Sequence, residues 1–222
     1  MNGESILEIL GLTLRVGIVS TLLCLPFAIW IGYALARRQI PFPSLIRAIV
    51  SLPMVMPPVA VGLALLWLVG ATSPLAPLLR SLGVELAFTP AAAVLAAAVV
   101  GFPLLARSAE QSFSAIDPNL EEVARTLGAS RLVTFFRVSL PLARRGLLYG
   151  SLLCFTRALG EFGATAVVAG IIPGRTETLS LAIWSRIQLG DDPGAALLVG
   201  FSFGLALVSM IAAERWLGSE RQ

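Results

Sequence analysis

A chain of 222 residues that is 57% hydrophobic and 13% charged, with a mean hydropathy of +0.87, carries more apolar side chain than soluble domains of that size hold, which points to a lipid environment. The formal net charge of +3 rests on 16 arginines, and Lys and His are both absent. Without Lys there is no phosphate-cradling P-loop and no Schiff-base chemistry; without His there is no Ser-His triad, no H-E-x-x-H zinc site and no histidine proton relay.

The first residues, Met1 to Glu4, lack a basic stretch and a small-residue cleavage site, so no removable leader is expected and the first apolar run stays in the protein. A spanning helix needs about 20 mostly apolar residues. Five windows meet that requirement, at residues 9–36, 45–69, 88–106, 146–172 and 195–213. No linker-like stretch divides them, so the expectation is an all-α, polytopic membrane protein with one domain over residues 1–222. Cys24 and Cys154 lie inside apolar runs, where thiols act as small buried hydrophobes, and two such distant cysteines form no disulfide framework.

The second window contains Pro53, Pro57 and Pro58, each of which removes a backbone donor and frees an upstream carbonyl. That helix is expected to kink or unwind. Broken backbone at membrane depth persists only where protein or a water-filled cavity covers it, so this window is a candidate lining of a pathway or gate; a packing kink is the simpler alternative.

Between the third and fourth windows lies a polar stretch, residues 107–145. Within it Asp117 is suited to an N-cap, Pro118 to the first helical position, Glu121 and Glu122 to the positive end of the helix dipole, and Gly128 to a left-handed terminus. Ser130 offers a second N-cap, and a helix over residues 131–139 is expected to bend at Leu140 and Pro141. Glu122 has two available partners, Arg125 one turn on or an arginine of another protein.

These residues carry a family resemblance. Glu122, Val123 and Ala124, then three residues, Gly128, nine residues, and Val138 through Leu140 and Pro141 resemble the E-A-A-x3-G-x9-I-x-L-P signature of binding-protein-dependent ABC import permeases. Val123 and Val138 depart from it conservatively. The resemblance implies a type I importer fold in which Glu121, Glu122, Val123, Ala124, Leu127, Gly128, Ala129, Leu140 and Pro141 form a coupling-helix loop that docks on a separate ATPase. It also accounts for the missing P-loop lysine.

The fourth window holds Arg157, Gly160, Glu161, Phe162, Gly163 and Thr165, with Arg157 and Glu161 four residues apart on one expected helix face. Ionisable groups in a span either neutralise each other or serve a cavity, and both readings are open for this pair. The run from Arg157 to Thr165, with the run from Ile172 to Leu179, is similar to two sequence blocks of molybdate permeases. That resemblance implies a homodimer of permeases, two ATPase subunits that use ATP and Mg, a periplasmic molybdate-binding protein and alternating access, with no cofactor or metal and no catalytic residue on this chain. Tungstate and sulfate permeases are relatives and supply the alternative substrates.

Residues 179–189 are apolar but too short to span and are read as an interfacial or re-entrant helix. With the long loop inside, Arg37, Arg38, Arg47, Arg107, Arg125, Arg131, Arg137, Arg144, Arg145, Arg215 and Arg221 face the cytoplasm, eleven against four for Arg15, Arg80, Arg175 and Arg186. The expected topology in a bacterial inner membrane is therefore N-terminus periplasmic and C-terminus cytoplasmic. A rival class, an ATP-independent channel or secondary transporter, calls for internal repeats and several intramembrane ion ligands, whereas the sequence has no repeat and one intramembrane ionisable pair. An intramembrane enzyme would need a nucleophile and base, for which only Glu161 and scattered Ser and Thr are on offer. The candidate pathway or gate residues are Pro53, Pro57, Pro58, Arg157, Glu161, Phe162, Gly163 and Thr165.

Overall fold

The computed structural model describes residues 3–81, 83 and 85–218, and among them every regular element is a helix. In chain order these are α1 (Gly3–Ala36), α2 (Pro43–Val55), α3 (Pro58–Val69), α4 (Ala76–Ser81), α5 (Pro90–Ser114), α6 (Pro118–Thr126) and α7 (Arg131–Thr134). A π-helical segment (Phe135–Ser139), α8 (Leu140–Leu159), α9 (Gly163–Val168), α10 (Leu179–Gln188) and α11 (Asp192–Gly218) follow. By length and composition α1 over Ile6–Ala36, α5, and α11 over Asp192–Ile211 can each cross a membrane. The five expected windows correspond to α1, the α2–α3 pair, α5, α8 with α9, and α11.

α5 sits between α1 and α8. It begins on Thr89, whose hydroxyl accepts from the Ala92 N–H, with Pro90 in the first turn. Its buried residues Ala92, Ala93, Ala96 and Ala97 are small enough for neighbouring backbones to close in, which is how helices gain contact in lipid, where hydrophobic burial supplies no drive. Val16 of α1, Val61 and Leu65 of α3 and Val168 of α9 pack on that stripe. At the opposite end Phe113 is fully buried, and Tyr33 meets Phe113 and Phe135 edge-on at 5.3 and 5.0 Å. The two thiols, 130 positions apart in sequence, belong to one buried cluster, and the Cys24 thiol donates to the Ala98 carbonyl at 3.3 Å.

Three expectations need correction. The second window, expected to kink or unwind, does break, into two helices whose axes turn by 110°. Met56 and Pro57, each preceding a proline, are driven into extended backbone with ψ of 144° and 132°, and Pro58 then starts α3 in the N1 position that proline favours. Pro53, by contrast, lies within α2. The fourth window also breaks, because α8 stops at Leu159 and Gly160, Glu161 and Phe162 separate it from α9. Arg157 and Glu161 therefore flank a helix end instead of sharing a continuous face. The first eight residues of the polar stretch extend α5 to Ser114. Finally, the helix does not end at Leu140 and Pro141: α7 runs through the π segment into α8, with the Leu140 N–H bonded to the Phe135 carbonyl five residues back. The wider winding shifts the carbonyl register ahead of Pro141 and accommodates its ring and missing donor.

Candidate functional site

Two clusters concentrate the unusual chemistry. The first is at the cytoplasmic loop of the expected topology. α6 starts where Asp117 accepts the Asn119 N–H at 2.9 Å, and it ends where Gly128, at φ +90°, lets the Ala129 N–H reach the Ala124 carbonyl at 3.0 Å. Glu121 is buried and accepts from Arg37 Nη2 at 2.7 Å, Arg37 Nε at 3.0 Å, Ser139 Oγ at 2.7 Å and Tyr33 OH at 3.2 Å. Burial alone would raise its carboxyl, but the hydrogen bonds from Arg37, Ser139 and Tyr33 outweigh it and hold the group below the usual carboxylate range. One carboxylate thereby ties α6 to the end of α1 and to the π segment.

The opposite side of α6 is apolar and uncovered, with Leu120, Val123 and Leu127 at 48, 56 and 83% exposure. At 100° per residue these three lie together and point away from Pro118, Glu121, Glu122 and Arg125. Glu122 is exposed and makes no ion pair among the described residues, so the i,i+3 pairing with Arg125 is not formed. Ala124 and Ala129 are half-buried beside the turn, Leu140 is half-buried and Pro141 is exposed. The anchoring role of Glu121, and of Tyr33, Arg37 and Ser139 with it, was missed in the sequence. The angular signal was incomplete: the spacing of Leu120, Val123 and Leu127 turns both Glu121 and Glu122 to the other side of the helix and does not choose between them.

A second ionic joint near this end also escaped the sequence reading. Glu110 of α5 accepts from Arg47 of α2 at 2.6 Å and from Arg107 at 3.2 Å, while Arg107 Nε donates to Ser51 Oγ at 3.2 Å. It fixes α2 against α5, so the helix before the proline break is held at a defined angle.

The other cluster surrounds the breaks in the second and fourth windows. Arg157 Nη1 lies 2.8 Å from Glu161 Oε2, with the carboxylate side chain 2% and the guanidinium side chain 35% exposed. The other oxygen, Oε1, accepts the Ala164 N–H at 2.9 Å, so Glu161 also holds the first turn of α9. α9 lies against α3 at backbone distance. A Cβ on Gly163 would sit 2.8 Å from Pro58 Cβ, and one on Gly62 would sit 2.7 Å from the Ala164 carbonyl oxygen. Pro58, Gly163 and the Arg157–Glu161 pair are thus brought together, with Thr165 buried at 1% exposure behind them. Pro57 is exposed at the bend, and Pro53 lies outside this contact, back in α2. The Phe162 ring meets Trp184 of α10 at 5.6 Å, which adds an aromatic neighbour that the sequence did not point to.

The run from Ile172 to Leu179 is a clasped turn. Buried Thr176 accepts the Ile172 N–H at 3.1 Å and donates to the Gly170 carbonyl at 2.9 Å. Thr13 of α1 accepts the Leu179 N–H at 2.8 Å and ties that turn to the first helix.

Known proteins share the sequence and the fold. Over 208 residues the chain is 41% identical to the molybdenum transport system permease protein ModB of Escherichia coli K12, covering 93% of this chain and 90% of that protein. It is 40% identical over 215 residues to ModB of Haemophilus influenzae, covering 96% and 93%. It is 37% identical to the sulfate transport system permease protein CysW of Synechococcus elongatus, covering 95% and 74%. Among solved structures the fold matches an inward-facing MetNI methionine ABC transporter with a TM-score of 0.75 at 19% identity, over 100% of both chains. The sequence pattern of one family spans residues 24–220, and on that match the chain belongs to the family of binding-protein-dependent transport system inner membrane components.

Proposed function

We propose that this chain is the membrane subunit of an ATP-driven importer of oxyanions, with molybdate as its substrate. The observation that carries the substrate is the 41 and 40% identity, along nearly the full chain, to two molybdenum transport permeases. In this reading two copies form the pathway, two cytoplasmic ABC ATPase subunits hold ATP and Mg, and a periplasmic binding protein delivers the anion. The N-terminus is periplasmic and the C-terminus cytoplasmic.

The geometry supports a specific route for coupling. The apolar face of α6 formed by Leu120, Val123 and Leu127 is the surface offered to the ATPase. A displacement there passes through the Glu121 joint to α1, and through one continuous helical stretch, residues 131–159, to the far end of α8. That end carries Arg157 in its last turn. Glu161, α9 and the Pro57 and Pro58 break of α3 lie next to it, so tilting α8 loads the α3–α9 contact. Backbone broken in this way belongs beside a water-filled route.

The test is uptake by membrane vesicles containing this chain, its ATPase and its binding protein. Molybdate should accumulate only with ATP and the binding protein present, and this chain purified alone should hydrolyse no ATP. Uptake that persists without ATP would return the chain to the channel or secondary-transporter class. The similarity to a sulfate permease favours a second substrate reading, so tungstate and sulfate are included as competitors.

A further inference from the structure

A groove of about 770 Å³ separates the end of α1 from α6 and α7. Its two halves differ in chemistry. One wall is apolar, made by Ile29, Trp30, Leu132 and Phe136, and the last three are exposed. The other end is cationic, with Arg37, Arg125 and Arg131. Arg37 is committed to Glu121, which cancels that charge. Arg125 and Arg131 are exposed and make no ion pair among the described residues, and against them stands a single uncommitted carboxylate, Glu122.

The order of the two halves matters. Trp30 lies in the apolar body of α1 and Arg37 just beyond its last residue, about 10 Å further along the axis at 1.5 Å per residue. The groove therefore passes from apolar to cationic in the same direction as the helix leaves the membrane, with an indole at the boundary where such rings settle. A free inorganic anion would satisfy the arginines but leave the apolar wall wet. On the function proposed above, the ATPase takes the other side of α6, since Leu120, Val123 and Leu127 point away from Pro118, Glu121, Glu122 and Arg125.

We propose that this groove binds a phospholipid with an anionic headgroup from the leaflet facing the loop, its phosphate between Arg125 and Arg131 and an acyl chain along Trp30 and Phe136. Basic pockets at that depth suit such headgroups. The lipid bridges α1 to the coupling loop beside the Glu121 joint, which makes the position of α6 sensitive to the charge of the bilayer.

The experiment is native mass spectrometry of the purified complete transporter with phosphatidylglycerol or phosphatidylcholine added in equal amounts. Phosphatidylglycerol adducts should exceed phosphatidylcholine adducts about tenfold, given a few-fold contribution from each guanidinium. The double variant Arg125→Gln with Arg131→Gln should lose that preference, Arg80→Gln should keep it, and inorganic phosphate should not displace the lipid. Equal retention of the two lipids, an unchanged preference in the double variant, or displacement by phosphate would overturn the proposal. Loss of the ATPase subunit from the double variant with phosphatidylglycerol adducts intact would do the same, by assigning these arginines to the ATPase contact.

Discussion

Glu121 accepts hydrogen bonds from Arg37, 84 residues away in sequence, and from Ser139, 18 residues away, so its removal loosens three segments at once. Hydrogen bonds to a charged group contribute about 1.5–3 kcal/mol each when little exposed, and Glu121→Gln is expected to weaken the joint by about that much. Hydrogen exchange across residues 117–139 should speed up roughly tenfold or more, while α5 keeps its protection. The carboxyl is held below its usual value, so the sign follows: the joint's contribution is complete above the unfolded value, about 4.3, and is lost as pH falls through the lower folded value. After correction for intrinsic exchange, protection of α6 should stay flat from about pH 8 to about pH 5 and fall only below about pH 4. A decline beginning near pH 6 would mean that another group controls the loop. Gly128 gives a separate test, because its φ is +90° while nothing lies within 4 Å of a Cβ built there. Conformation, not space, is the constraint, so Gly128→Ala and Gly128→Glu should both strain the turn by about 1–2 kcal/mol. Both should insert in the membrane and retain the ATPase yet transport poorly; normal transport by either would remove the coupling role of the turn. The signature from Glu122 to Pro141 was legible because its residues sit at fixed spacing, whereas the role of Glu121 depends on where α1 ends in space, and no local pattern encodes that.

At the scale of elements, the consecutive prolines at 57 and 58 matter more than proline count. Pro26, Pro53 and Pro103 all lie inside α1, α2 and α5. Only the pair forces two successive residues into extended backbone, and it produces the 110° turn that separates α2 from α3. The sequence announced the break through that dipeptide. It did not announce the second break, because residues from Phe162 to Ile172 stay mostly apolar and hydropathy is blind to backbone conformation; Gly160, Glu161 and Gly163 were the visible signs. The pathway reading makes an exposure prediction that now differs between positions. Val59 is exposed at the start of α3, whereas Thr165 is buried on α9. A cysteine at Val59 should react with a polar thiol reagent in the conformation described here. A cysteine at Thr165 should be protected until α3 and α9 part, and so should react in one nucleotide state of the complete transporter only. Equal protection of both in every state would reject this lining.

For the whole molecule the question is whether the anion is selected here or by the soluble partner of the proposed machine. The described spans place one guanidinium, Arg157, beside the α3–α9 contact, and its neighbour Glu161 cancels much of its charge at 2.8 Å. Glu161 is itself buried and spends its second oxygen on α9, so it is in no position to release Arg157 fully to a passing anion. A tight dianion site is therefore not built into this contact, and weak binding suits a route that must also let its cargo leave. Arg157→Gln leaves a buried carboxylate with its cap to α9 but without its cation, which disturbs the α8–α9 junction rather than a recognition site. The expected result in vesicles with the complete transporter is a lower maximal rate of molybdate uptake, with an apparent affinity still set by the binding protein and an unchanged order of competition by tungstate and sulfate. If the variant instead keeps its capacity while apparent affinity shifts by about tenfold or more, about 1.4 kcal/mol, selection resides in this chain and the division of labour fails.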